Sequence, residues 1–322
     1  MRRVLIRMLL AVVLAVAAWI AAGAVIAAVA GPFKPAGTYV DIGGRRLRLV
    51  CAGPPAGPTP TVWFEPGAFG LAADFAAIQE KLTAKGLRSC AYDRAGMGWS
   101  DPGPHPRDAQ TITEDLEKLI AASGERGPFI LVGHSMAGLY VRMFAGRNPD
   151  KVAGLVLIEA TTPEQIDSPG TEKFIGAFTT LSKVAAVSAS VGATLPLYWP
   201  AGDRIGLPPQ GSAEKRHAYV SGHHARTAAE EVENWGRSAH EAEAVAPYDP
   251  NWPVSVIVVD RGEGDNPADP RRAPERAAKF GTFEAVKGAS HTTILGETYG
   301  DSAVRGVEFV LAHLPAPAAT GR

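Results

Sequence analysis

The chain has 322 residues, with 32 Lys and Arg against 33 Asp and Glu, 46% hydrophobic residues and 20% charged ones. That length buries a sizeable core in one large domain or two modest ones, and a net charge of -1 leaves no basic surplus for a nucleic-acid partner. Gly and Pro, at 35 and 26, fit many sharp loops between short elements.

Arg2, Arg3 and Arg7 precede an uncharged run, 8–30, made of Ala, Val, Leu, Ile, Met, Trp and one Gly. At about 1.5 Å per residue this run reaches across a hydrocarbon core of roughly 30 Å. It predicts a transmembrane helix, with the Arg cluster on the cytoplasmic side and the rest of the chain outside. Ala28-Val29-Ala30 also fits a signal-peptidase site, so secretion after cleavage is the alternative. The run exceeds the usual signal-peptide core of about 7–15 residues, which favours a retained anchor. Either way the globular part is exported.

A Gly/Pro linker at 31–37 leads to a hairpin predicted over 38–41 and 45–51, and a Pro/Gly loop follows at 53–60. Residues 61–65 read as a strand, turned out by Pro66-Gly67-Ala68-Phe69-Gly70. A helix over 74–81 carries Phe75 and Ile78 in line with Leu82, and 89–92 is the next strand. Thr111-Ile-Thr-Glu114 matches a capping box ahead of a helical face of Ile112, Leu116, Leu119 and Ile120, closed by Gly124. The apolar run 129–132 reads as a buried strand that stops at Gly133, and 136–144 as a helix. Residues 152–158 form another buried strand. From 161 to 247 the rhythm breaks into amphipathic pieces at 217–226 and 228–244, and it resumes with strands at 254–260 and 281–286 and a helix at 299–314. Strands alternating with helices imply a mostly parallel sheet covered on both faces.

Ser135 stands between strand and helix in Gly133-His-Ser-Met-Ala137, with Gly138 next. A tight turn there pushes the hydroxyl into the open, tolerates only small neighbours, and aims helix N-terminal N–H groups at developing charge. A plain strand–helix turn with Ser as N-cap is the bland alternative. These residues resemble the α/β-hydrolase superfamily, whose elbow reads Gly-x-Ser-x-Gly; Ala137 departs from it at the fifth place. Ala is the mildest replacement there.

The resemblance implies an α/β-hydrolase fold: a mostly parallel sheet of about eight strands with helices on both faces, and a mainly helical cap. The organisation would be an anchor or signal peptide at 1–30, core at 31–160, cap at 161–247, core again at 248–315, and a disordered Pro-Ala tail at 316–322. It also implies a triad in the order Ser, acid, His, each on a loop after a strand. Ser135 takes the first place. Asp265 is the expected acid, on the family's Gly-x-x-Asp pattern after strand 254–259, with Glu263 and Asp260 as fallbacks. His291, on a small-residue loop after the last strand, is the expected base. The backbone N–H groups of Met136 and Ala68, with Phe69 next, would hold an oxyanion. Asp93 and Arg94, in a second family-like loop over 92–101, are expected to pair beneath the site. Phe69, His134, Trp199 and Trp235 are the candidate substrate contacts, although the cap aromatics fit cap core equally well. The second and fourth strands are neighbours in the resembled fold, which lets Cys51 and Cys90 bridge in an exported domain.

The expected activity is therefore cleavage of a small-molecule carboxylic ester through an acyl-enzyme. The expected associations are with the membrane through the N-terminal helix and not with nucleic acid; the oligomeric state is left open. Neither cofactor nor metal is expected: His223, His224, Glu230 and Glu231 match no ligand spacing and fit a solvated helical face. The superfamily's epoxide hydrolases and haloalkane dehalogenases use Asp where this chain has Ser135. Acyl transfer, perhydrolysis or peptidase chemistry on the same residues, and a ligand-binding member without turnover, remain the alternatives.

Overall fold

The computed structural model describes residues 1–167, 169–262 and 264–314. The fallback Glu263 and the tail 316–322 lie outside the described residues. The chain opens with α1 (Arg2–Ala30), a helix with an 18-residue stretch of mean hydropathy 2.7, long and apolar enough to cross a membrane. Its residues stand almost wholly exposed, apart from Gly23, where the helix crosses the body.

The elements that follow are β1 (Thr38–Asp41), β2 (Arg46–Ala52), β3 (Val62–Glu65), α2 (Ala76–Ala84), β4 (Ser89–Tyr92), α3 (Ala109–Ser123), β5 (Phe129–His134), α4 (Ala137–Arg147) and β6 (Val152–Ile158). Five helices then intervene: α5 (Pro169–Ser190), α6 (Leu195–Ala201), α7 (Pro209–Tyr219), α8 (Gly222–Glu233) and α9 (Trp235–Ala244). The sheet resumes with β7 (Val254–Val259), the short α10 (Ala273–Ala277), β8 (Gly281–Val286) and α11 (Asp301–Ala312). Together these make the α/β-hydrolase fold. Its eight-stranded sheet runs β1-β2-β4-β3-β5-β6-β7-β8, antiparallel at β1–β2 and β2–β4 and parallel everywhere else.

Both faces of the sheet are covered, which is why β5, β6 and β7 are continuous apolar runs and not alternating ones. Leu131, Leu155 and Val256 face Leu116 and Leu119 of α3 and Phe144 of α4. Their neighbours Val132, Val156 and Ile257 face Ile78 of α2 and Val304 and Val307 of α11. Cys51 lies opposite Cys90 in the β2–β4 register, and a disulfide joins them.

Two local expectations change. Helix α3 begins at Ala109, capped by the Asp108 side chain on the Thr111 N–H, so the Thr111–Glu114 box lies inside the helix. Asp and Thr both cap well, and the residue with extended backbone takes the place. Asp93 and Arg94 do not pair with each other. Asp93 accepts from Arg48 at 3.0 Å and from the Ala72 and Trp99 N–H groups, while Arg94 turns the other way to Glu65 and Glu231.

Arg48, fully buried on β2, spans Asp93 and Glu214 of α7 and donates to the Ala36 carbonyl. Removing one partner of a buried pair strands the others without water. Arg48→Met is expected to cost about 3–5 kcal/mol in urea unfolding of the detergent-solubilised chain, because two carboxylates lose their counter-charge together.

Candidate active site

Three adjacent parallel strands, β3, β5 and β6, deliver the site from their carboxyl ends, and the loop after β8 completes it. Phe69, Ser135 and Glu159 hold left-handed backbone, with φ of 56°, 58° and 47°. Such conformations cost roughly 1–3 kcal/mol each in non-Gly residues and persist only where the surroundings fix them. At Ser135 the fixing bonds are clear: its N–H donates to Ile158, and its carbonyl accepts from Gly138 and Thr161. The result is a sharp turn from β5 into α4 with the hydroxyl facing a cavity.

His291 lies beyond β8, and its Nε2 is 3.0 Å from Ser135 Oγ. Its Nδ1 is 3.2 Å from Glu159 Oε2. Glu159 directly follows β6, and its side chain is only 2% exposed. Burial pushes its carboxyl up, but the hydrogen bonds with His291 and the Val259 N–H and the charge of Arg271 prevail and hold it at about 2. An ionised carboxylate on Nδ1–H leaves the Nε2 lone pair to accept the serine proton.

The structure therefore places Glu159 where Asp265 was expected. Asp265 sits in the loop after β7 with its side chain 73% exposed, paired to Arg272. Asp260 accepts from the Gly262 and Gly264 N–H groups, folding the start of that loop on itself. The carboxylate that meets His291 comes from the end of β6, one strand nearer the serine. The signal in the sequence was a Glu closing a wholly apolar strand, where a charge needs a partner.

His134 packs its ring 4.8 Å from that of His291, and its Nε2 is 2.9 Å from the His291 carbonyl. Burial, and then the neighbouring His291, pull its imidazole down to about 3. A neutral Nε2–H thus donates to the loop that carries His291. The Pro66–Gly70 turn passes against Ser135: a Cβ on Gly67 would lie 2.9 Å from Ser135 Cβ. Arg94, which sequence reading paired elsewhere, donates to the Pro66 carbonyl and, at 2.9 Å, to the Gly67 carbonyl. In a trans peptide the Gly67 oxygen and the Ala68 N–H point oppositely, so this bond turns the Ala68 N–H away from Arg94. Lys215 of α7 holds the Phe69 carbonyl at 3.0 Å. Met136 buries its side chain beside Leu139 and Tyr140, and its N–H belongs to the open first turn of α4.

Over Ser135 lies a cavity of about 1190 Å³, walled by Phe69, Phe178, Leu181, Tyr219 and Trp235, with His134, Ala68 and His291 at its floor. Trp199 is not among its lining residues; α6 sets that ring against α7, edge-on to His217 and under Arg216.

A sequence model of the alpha/beta hydrolase fold matches residues 60–178. A stretch of 104 residues, 31% of this chain, is 36% identical to an uncharacterized vacuolar membrane protein of Saccharomyces cerevisiae. Another of 111 residues, 32% of the chain, is 33% identical to a pyrethroid hydrolase of Sphingobium wenxiniae. The chain spans 16% of the length of the first relative and 39% of the second. Among solved structures, the Cif epoxide hydrolase of Acinetobacter nosocomialis superposes with a TM-score of 0.65 at 16% identity, over 87% of this chain and 91% of that one.

Two outcomes follow from the geometry. A methyl on Gly138 would lie 2.4 Å from the Thr161 carbonyl oxygen, whereas Ala137 is already accommodated at the start of α4. Gly138→Ala is expected to cost about 1–3 kcal/mol in urea unfolding and Ala137→Gly no more than about 1 kcal/mol. Burial raises Glu65 from 4.5 to about 7 despite Arg94 and Tyr92. Across that window the folded chain keeps a proton that the unfolded chain has released, so this contribution to stability declines as pH rises. Glu65→Gln is expected to flatten the decline in melting temperature from about pH 5 to about pH 7.

Proposed function

Because the chain belongs to the α/β-hydrolase superfamily, we propose that it is a serine hydrolase of carboxylic esters, with Ser135, His291 and Glu159 as its catalytic residues. The observation that carries the reading is the unbroken line from Ser135 Oγ through both nitrogens of His291 to a buried, ionised carboxylate.

His291 Nε2 takes the hydroxyl proton as Ser135 Oγ attacks the ester carbonyl. Glu159 fixes the tautomer and stabilises the imidazolium that forms. The Ala68 and Met136 N–H groups are the oxyanion donors, the first oriented by Arg94 and the second by the helix start. His291 then gives its proton to the leaving alcohol. Water, deprotonated by the same nitrogen, releases the carboxylic acid and restores Ser135.

The superfamily's epoxide hydrolases attack with Asp, and a serine in that place favours acyl chemistry, in keeping with hydrolase relatives of more than one substrate class. Helix α1 serves as a retained membrane anchor, with Arg2, Arg3 and Arg7 on the cytoplasmic side and the body on the other.

A fluorophosphonate probe is expected to label the full chain in detergent and to lose its site in Ser135→Ala and His291→Ala. Glu159→Gln should lower kcat on a p-nitrophenyl ester by about 10³–10⁴ with the fold intact, as when the orienting acid of a triad is neutralised. Asp265→Asn should keep nearly full activity. Equal losses in the two variants would sink the assignment of the acid.

A further inference from the structure

Helix α5 carries an apolar face that the rest of the described chain leaves open. Phe174, Leu181, Val184, Val187 and Val191 are each more than half exposed along it and its C-terminal turn, and Leu197 and Tyr198 continue the surface on α6. At about 100° per residue the five fall on one side of the helix. No charged residue occurs from Val184 to Gly202, and Lys183 is drawn aside to Glu233 at 2.6 Å. The opposite side of α5 is occupied: Ala186 and Ala189 pack on Ala225 and Ala229 of α8. Helix α5 thus lies along the body with its outer side bare, and α6 leaves it at a bend of 95°.

That bend is where α1 meets the body. Trp19 Nε1 donates to the Ala193 carbonyl at 2.9 Å, and Gly23 presses so close that a Cβ there would lie 2.2 Å from the Gly192 oxygen. Gly23 sits about 10 Å before the end of α1, at about 1.5 Å per residue. With α1 spanning a bilayer, the corner of α5 and α6 therefore lies within the leaflet on the body's side, not above it. Phe174, Leu181 and Tyr198 belong both to this exposed face and to the lining of the cavity over Ser135, so the cavity's rim opens onto it.

We propose that the α5–α6 face docks into the bilayer leaflet beside α1, and that the cavity draws lipophilic, long-chain esters from that leaflet to Ser135. The substrate half rests on the serine-hydrolase reading and the docking half on α1 as a retained anchor. Lipid is the fitting occupant because the face is continuous with α1, itself a bilayer segment.

The full chain in phosphatidylcholine vesicles tests both halves separately. Both native cysteines are bonded to each other, so Val187→Cys takes a nitrobenzoxadiazole label alone. The label is expected to shift to the blue and to be quenched by spin-labelled phosphatidylcholine, not by iodide. Quenching by iodide, or self-quenching that reports contact between two copies of the chain, would overturn the docking. For the substrate, Val184→Glu/Val187→Glu is compared with wild type; neither residue lines the cavity. Turnover of p-nitrophenyl palmitate dissolved in the vesicles should fall at least about tenfold while that of soluble p-nitrophenyl acetate is unchanged. Equal rates on both esters in the two proteins would overturn the delivery of substrate from lipid. A wild type that cleaves neither ester would remove the hydrolase reading and the substrate half with it, leaving the label to decide the docking.

Discussion

The contact on which the site depends is the hydrogen bond between His291 and the carboxylate of Glu159. It is a polar bond in a place where polar groups are costly. Glu159 is buried at the end of an apolar strand, and an ionised carboxylate there persists only because His291, the Val259 N–H, Arg261 and Arg271 surround it. The same bond fixes which nitrogen of His291 faces Ser135. Glu159 and Ser135 follow adjacent strands, β6 and β5, so the rigid register of the sheet sets the separation of the carboxylate and the hydroxyl. Only His291 arrives on a loop from further along the sheet, and His134 holds that loop from below.

A second buried network supports the other side of the site. Arg94 faces two carboxylates, Glu65 and Glu231, and two main-chain carbonyls of the turn beside Ser135. One guanidinium cannot fully compensate two carboxylates in a dry interior, and Glu65 is the one that gives way, its carboxyl raised to about 7. Glu231 of α8 reaches the turn beside the serine through Arg94, and Lys215 of α7 reaches it at the Phe69 carbonyl, so two ions tie the helices over the cavity to that turn. A change in those helices is thus felt at the turn without touching Ser135.

Much of this was legible in the sequence. The apolar runs of β5, β6 and β7 are the direct consequence of two covered faces, and Ser135 and His291 were readable because each sits on a small-residue loop behind such a run. The acid was not. Asp265 fitted a pattern of order and spacing, but spacing along a chain does not report which way a side chain on a loop turns, and this one meets Arg272 at the surface. Glu159 was hidden by its brevity: a single charge after a strand reads as the strand's end. Arg94 and Asp93 were read as a pair because they are adjacent, yet neighbouring residues leaving a strand point to opposite sides. The helices between β6 and β7 carried the weakest signal, since their apolar residues serve the core, the cavity and the exposed face at once, and periodicity cannot tell these apart. Trp199 and Trp235 show the difference, one packed on α7 and the other facing the cavity.

The most direct test of the central contact is proton NMR of the chain with ¹⁵N-labelled histidine, following the far-downfield resonance of an imidazole N–H bonded to a carboxylate. A resonance present in wild type and in Asp265→Asn, and lost in Glu159→Gln, is what the bond from His291 to Glu159 predicts. Its survival in Glu159→Gln together with its loss in Asp265→Asn would contradict the account and return the acid to the loop after β7.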